Sequence, residues 1–226
     1  MLIWDWSFVI EILPELLKGL VVTIQATFLG FTLAMIFGLV MALGRRSENV
    51  IISGLTAALV EFIRLTPLLV QLFFVAFVMP RYLRQFGVGR EWLQPFAMGV
   101  FVIGLHYGTY TSEVYRAGID AIGRGQWEAA KALNFSARDT WVRVILPQAI
   151  PPMLPAFGNY LNGMFKETAQ LSAITVVELL QSAQVIGKQS FRFLEPITMV
   201  GLLYFLVSYP TSLIVRRLEA RFGNTN

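Results

Sequence analysis

Long apolar stretches separated by short polar segments set the pattern of this chain. A membrane's hydrocarbon core is crossed by about 20 mostly apolar helical residues. Leu16 to Leu43 is one such stretch, ended by Gly44-Arg45-Arg46-Ser47-Glu48-Asn49. Gly54 to Met79 is a second, closed by Pro80, and Pro95 to about Tyr115 is a third, with polar residues gathering at its far end. Ile150 to Phe165 is shorter and rich in proline at its start, and Pro196 to Val215 precedes Arg216-Arg217. Between these last two, Leu171 to Leu180 is apolar but too short to span, which predicts a partly inserted helix. The pattern predicts an all-α polytopic membrane protein with about five transmembrane helices. No internal repeat and no low-complexity linker divides residues 1–226, so a single membrane domain is expected.

The segment from Arg116 to Pro147 breaks the apolar rhythm. It is too polar for lipid, yet it is patterned like two helices. Glu128-Ala129-Ala130 opens a run of good helix formers through Leu133. Asn134 interrupts the run, and Ser136 can cap a second helix that runs toward Val144 and Ile145. Leu146-Pro147 is expected to end that helix, because proline lacks the N–H a continuing helix needs. A short helix-turn-helix presented at a membrane surface has the shape of a docking element.

Composition supports the membrane reading. Hydrophobic residues make up 56% of the 226 and charged residues only 14%, against roughly 25% charged in soluble domains. Cysteine is absent and His106 is the sole histidine, which excludes disulfides and thiolate metal sites and argues against a histidine metal centre. The net charge of +4 is read as an orientation signal, not a nucleic-acid footprint. Ten basic residues fall in the Arg45-Arg46 turn, the Arg116–Pro147 loop and the tail, against five (Arg81, Arg84, Arg90, Lys188 and Arg192) on the other side. That balance places the loop and tail in the cytoplasm and the N-terminus outside. The first residues, with acids where a basic region would be needed, do not read as a secretory signal. Trp4 and Trp6 suit a membrane interface or an ordinary amphipathic pre-helix equally well.

The loop resembles the cytoplasmic loop of binding-protein-dependent ABC importer permeases, whose signature is EAA, three residues, Gly, nine residues, then I-x-L-P. Glu128, Ala129 and Ala130 match; Asn134 stands at the glycine, Val144 at the isoleucine, and Leu146 and Pro147 fall in register. Asparagine is the residue after glycine that best tolerates a left-handed turn. Glu61-Phe62-Ile63-Arg64-Leu65-Thr66-Pro67-Leu68-Leu69-Val70-Gln71 is similar to the ExxRxTPLLVQ stretch of the polar-amino-acid branch. The run Tyr110 to Ile119, Gly125 to Glu128, and Phe165-Lys166-Glu167-Thr168 look like that branch too, whereas Ala169-Gln170 departs from its usual Ser-Leu. The resemblance covers roughly Glu61 to Leu180. It implies a transmembrane subunit of an importer in the inner membrane of a prokaryote. It further implies a second permease subunit, identical or different, two cytoplasmic ATPase subunits and an extracytoplasmic solute-binding protein. The loop would dock into the ATPase, which would hold ATP and Mg, and this chain would bind no cofactor. Consistently, Gly187-Lys188-Gln189 lacks the upstream glycine and the hydroxyl of a phosphate-binding loop. Glu128 either anchors to a basic groove residue or simply favours a helix N-terminus.

Charges inside apolar spans are costly and tend to face a cavity or a partner. Glu61 and Arg64 share a helical face, Glu113 ends the third span, and Lys166 and Glu167 sit where the fourth meets the connector. Thr66-Pro67 can free backbone carbonyls near a transport path. One reading is a polar pathway for a zwitterion, with cations for its carboxylate and carboxylates for its amino group. The other has these charges hold a dimer together or snorkel to the interface. Gln71, Thr168 and Gln170 are weaker pathway candidates. His106 reads as a hydrogen-bonded packing residue, not a proton carrier, and Gly104 with Gly108 permits close helix contact. An ion-gradient-coupled secondary transporter is the alternative, which five spans without a repeat fit poorly. An intramembrane enzyme would need a nucleophile with a base, or clustered ligands, that this chain does not offer.

Overall fold

The structure is a computed structural model that describes residues 4–222, with residues 90 and 91 described by backbone alone. All regular elements among the described residues are helical, as the apolar pattern predicts. They are α1 (Trp6–Arg45), α2 (Val50–Leu65), α3 (Leu68–Phe73), α4 (Met79–Leu83), α5 (Pro95–Asp120), α6 (Arg124–Ala132), α7 (Ala137–Asp139), α8 (Leu146–Glu167), α9 (Leu179–Ser190) and α10 (Leu194–Phe222). Two of them, α1 and α10, are individually long and apolar enough to cross a membrane. Two further passages are bent pairs: α2 with residues 68–86 at 102°, and residues 137–174 with α9 at 46°. The third predicted span is α5, whose 26 residues reach about 39 Å at 1.5 Å each. It is more polar because protein, not lipid, surrounds it: His106, Thr109, Thr111 and Ser112 are all buried.

The first helix starts earlier than the apolar run suggests. The Asp5 carboxylate caps it by accepting from Ser7 and Phe8 N–H, and α1 carries Pro14 without breaking. The hydrogen bonds from the Ser7 hydroxyl, Phe8 N–H, Arg192 and Ser7 N–H hold the Asp5 pKa down at about 2. A 3.1 Å ion pair to Arg192 ties this end of α1 to the α9–α10 turn.

The seam between α1 and α5 is the spine of the fold. The two helices run parallel and nearly in register: Gly30 meets Val100 and Ile103, and Gly38 meets Gly108 and Thr111. A Cβ at Gly104 would lie 2.7 Å from Leu33 Cβ and 3.0 Å from Gly30 O. The Gly104/Gly108 pair therefore serves a contact within the chain. Lipid tails are as apolar as leucine, so such seams are held by close packing. At the far end Arg45 pairs with Glu113, and Arg46 with Asp120. Glu219 of α10 accepts from Asn159 of α8 at 2.9 Å. The Arg45-Arg46 turn, the 116–147 loop and the basic tail thus gather at one end, as the charge count groups them.

Three boundaries differ from the sequence expectation. Pro80 does not close the second span; the chain stays helical through it to Phe86. The connector helix lies at Leu179–Ser190, beyond Leu171–Leu180. Residues 168–174 form a tighter 3-10 turn, and Thr175 in the left-handed region (φ 66°) stops it. Lastly, Leu146-Pro147 does not terminate the loop's second helix. Residues 140–145 widen into a π turn, Leu146 N–H bonds Trp141 O, and α8 continues to Glu167.

Candidate functional site

The functional features form two places, an open cavity in the crook of a broken helix and a surface helix hairpin.

The crook arises at Thr66-Pro67. A residue before proline is driven out of the helical region, and Thr66 is extended (φ −99°, ψ 137°). The cavity beside the break has a volume of about 430 Å³ and is lined by Arg64, Leu65, Thr66, Pro67, Leu68, Leu69, His106, Tyr110, Glu167 and Gln170. Of the pathway candidates, Arg64, Thr66, Glu167 and Gln170 are brought together here. Arg64 comes from α2, His106 and Tyr110 from α5, Glu167 from the end of α8, and Gln170 from the following 3-10 turn. The Arg64 guanidinium lies 5.4 Å from the Tyr110 ring centre. Its carboxylate partners are distant, with Glu113 at 3.6 Å and Glu61 at 3.8 Å. A side chain 33% exposed and so loosely paired is a cation available to an incoming anion. Glu167 is the carboxylate of the same cavity.

The remaining candidates lie elsewhere. Glu113 sits below the cavity in a cluster with Arg45, Arg64 and Arg116. Glu61 is exposed and pairs with Arg64 at 3.8 Å. Lys166 is exposed. Thr168 is buried and donates to Phe165 O at 2.6 Å. Gln71 is turned back onto its own chain, donating to Ile63 O at 2.7 Å. Sequence reasoning left Tyr110 and His106 off the pathway. Their i, i+4 spacing on α5, level with Arg64, is the signal that unites them. His106 is hydrogen-bonded, as expected of a packing residue, and also lines the cavity.

The hairpin is built by its caps. Helix α6 starts at Arg124, four residues before Glu128. Asn134 adopts φ 55°, and Phe135 N–H returns to Ala130 O at 3.0 Å, the bonding that a left-handed C-terminal residue permits. Ser136 caps α7 through Asp139 N–H. Trp127 and Trp141 meet edge to face at 5.1 Å and pack on Ile119, Ala149, Met153 and Phe157. This fixes the hairpin on the membrane helices, with Ala130 buried beneath it. Glu128, Ala129, Leu133, Asn134 and Phe135 face outward, whereas Val144 and Leu146 are half-buried and Pro147 is exposed.

A polytopic helical chain with a polar cavity in a broken span and a helix hairpin fixed on one end has the architecture expected of a membrane transport subunit. The family model described as binding-protein-dependent transport system inner membrane component matches residues 34–224, and the chain belongs to that family. It is a transport component of the inner membrane, one subunit of an ABC transporter complex. A probable amino-acid ABC transporter permease of Sinorhizobium fredii, y4tG, is 45% identical over 95% of this chain and 90% of its own length. The L-cystine transport system permease TcyB of Bacillus subtilis is 35% identical over 91% and 87%. A solved amino acid ABC transporter with histidines superposes with a TM-score of 0.85 at 33% identity, covering 97% of this chain and 100% of its own.

Proposed function

We propose that residues 1–226 form one permease domain of an ATP-driven importer that carries a polar amino acid or similar small zwitterion, such as an amino-acid-derived osmolyte, into the cytoplasm. One observation carries the substrate class: a loosely paired Arg64 and the carboxylate of Glu167 line the same cavity. Such a cavity suits a carboxylate and an ammonium group on one small molecule. The amino-acid transporters among its relatives support the same class.

An open polar cavity facing lipid would carry a large desolvation cost, so a second permease subunit, identical or different, is expected to cover it. An extracytoplasmic binding protein delivers the solute. Two cytoplasmic ATPase subunits hold ATP and Mg and perform the hydrolysis; this chain binds no cofactor and catalyses nothing itself. Glu128, Ala129 and Ala130, with Asn134 shaping the turn and Val144, Leu146 and Pro147 leading into α8, couple it to them. The outward face of Glu128, Ala129, Leu133 and Phe135 supports this role, because a short helix seated in a groove transmits rigid-body displacement.

The test is Arg64→Ala in the purified complex. Uptake of a radiolabelled polar amino acid should fall about tenfold or more per assembled complex, with assembly little changed. Equal losses of uptake and assembly would remove Arg64 from the path. Uptake that persisted without ATP and followed an ion gradient would favour the secondary-transporter alternative.

A further inference from the structure

The break at Thr66-Pro67 leaves the end of α2 short of donors. In a continuous helix Ile63 O would accept from the N–H of residue 67, and Pro67 has none. Val70 N–H, the natural partner of Thr66 O, bonds Pro67 O instead at 3.0 Å. One side chain reaches both carbonyls, and Ile63 O also accepts from the Thr66 hydroxyl at 3.1 Å. Gln71 Nε2 donates to Ile63 O at 2.7 Å, to Thr66 O at 3.1 Å and lies 2.7 Å from Thr66 Oγ1. Three oxygen neighbours assign the amide nitrogen to that side, so the amide oxygen faces His106 Nδ1 at 3.1 Å. A carbonyl oxygen only accepts, so Nδ1 carries the proton. In the neutral ring Nε2 is then the acceptor. Gln71 does not line the cavity; Thr66 and His106, which it holds, both do.

We propose that Gln71 is a positioning residue that stands in for the backbone donor Pro67 lacks, and whose other end presents His106 to the cavity as the Nδ1–H tautomer. The bend and the cavity wall are thereby one unit. Without Gln71, Thr66 O loses the donor this structure gives it, Ile63 O is left with the Thr66 hydroxyl at 3.1 Å, and the His106 ring loses the acceptor that fixes its tautomer. The Nε2 lone pair of His106 is the atom offered to an N–H donor, such as the ammonium of a zwitterion. This last step rests on the proposed substrate class; the bend does not.

The experiment uses the assembled transporter in lipid nanodiscs and proteoliposomes. The chain contains no cysteine, so single cysteines at Leu55 and Phe77, both exposed and on opposite sides of the bend, carry spin labels. Gln71→Met is close in shape and makes none of the four contacts. It should broaden the label-to-label distance distribution. It should also raise the uptake KM about tenfold, equivalent to about 1.4 kcal/mol, with Vmax per complex changed less than about twofold. Uptake is read with the radiolabelled standard amino acid that the wild-type complex imports fastest. Adding His106→Ala to Gln71→Met should raise KM less than about twofold further, because both remove one interaction. Gln71→Glu keeps an acceptor for His106 but donates nothing to Ile63 or Thr66. It should broaden the distances while raising KM less than Gln71→Met does, and it decides the matter if Gln71→Met fails to assemble. Wild-type distances in both variants, or fully multiplicative KM effects of Gln71→Met and His106→Ala, would overturn the proposal. If the wild-type complex imports no amino acid, the functional reading fails, while the label distances still judge Gln71.

Discussion

Pro67 and Pro147 place the same demand on the backbone and meet opposite outcomes. Each lacks an N–H, and each ring crowds the carbonyl four residues earlier. At Pro67 the chain breaks: Thr66 turns extended, and the helices on either side diverge by 102°. At Pro147 the chain carries on. Leu146 keeps helical angles (φ −59°, ψ −41°), because the preceding turn has widened and its N–H reaches back five residues to Trp141 O. Pro80 repeats the second solution. Residues 74–78 form a π turn, and Met79 N–H bonds Phe74 O. The difference lies in where the donor comes from. A π turn re-registers the backbone and keeps the axis; at Pro67 a distant side chain supplies the donor and the axis is free to turn. Pro147 thus sits in a continuous strut beneath the 124–145 hairpin, and Pro67 sits at the wall of a cavity.

The sharpest way to break this comparison is Pro67→Ala. It restores the N–H and removes the ring, favouring a straight helix by about 3 kcal/mol, a factor of roughly 150. Straightening would withdraw Arg64 and Thr66 from the cavity wall. Uptake should fall about a hundredfold in complexes that still assemble, and spin labels across the bend should report a longer separation. Retained uptake with an unchanged separation would mean that tertiary packing, not the proline, sets the bend.

The strut is tested at Trp141, which lies inside the π turn and touches Trp127 at 5.1 Å. Edge-to-face pairs contribute about 0.5–1.5 kcal/mol beyond their buried area. Trp141→Ala should loosen the hairpin from the membrane helices without unfolding them. The expected result is ATP hydrolysis near the wild-type rate with solute moved per ATP down about fivefold. Phosphate release and uptake measured on the same proteoliposomes decide it. A parallel fall in both would show damage to assembly instead.

The comparison also marks what the sequence could show. Long apolar runs predict α1, α5 and α10, because a span must be continuous. Asn134 and Ser136 act where they were expected, because left-handed turns and N-caps are local and need no tertiary partner. Arg64, Thr66, Glu167 and Gln170 could be singled out as polar residues in apolar surroundings. The crook that unites them could not, because the turn at Pro67 depends on Gln71 reaching back eight residues to Ile63. Proline alone announces a break; whether a π turn absorbs it depends on neighbouring packing that leaves no compositional trace. Leu171–Leu180 misled for a related reason. Most of its large apolar residues are buried in the protein, with Leu171, Ile174 and Leu179 almost fully covered and Val177 the exception, so they needed no helix of their own to satisfy lipid.

Pro147→Ala carries the smallest expected effect and separates two meanings of the π turn. π bulges are often retained at functional sites, so the widened turn at residues 140–145 could be a device for motion or simply the accommodation of a proline. If it is accommodation, alanine lets the turn close to an ordinary α-helix. Removing an interior proline should then stabilise the protein, by about 1 kcal/mol once repacking around Ile145 is allowed for, or roughly 2–4 °C in unfolding temperature. Uptake should stay within about twofold of wild type. If the π turn is a lever that must shift register as the hairpin moves, the same substitution should leave the protein folded and firmer yet lower the solute moved per ATP, as Trp141→Ala does. The first outcome makes Pro67 the proline on which transport depends. The second makes the strut a moving part, and the contrast between the two prolines becomes one between two hinges.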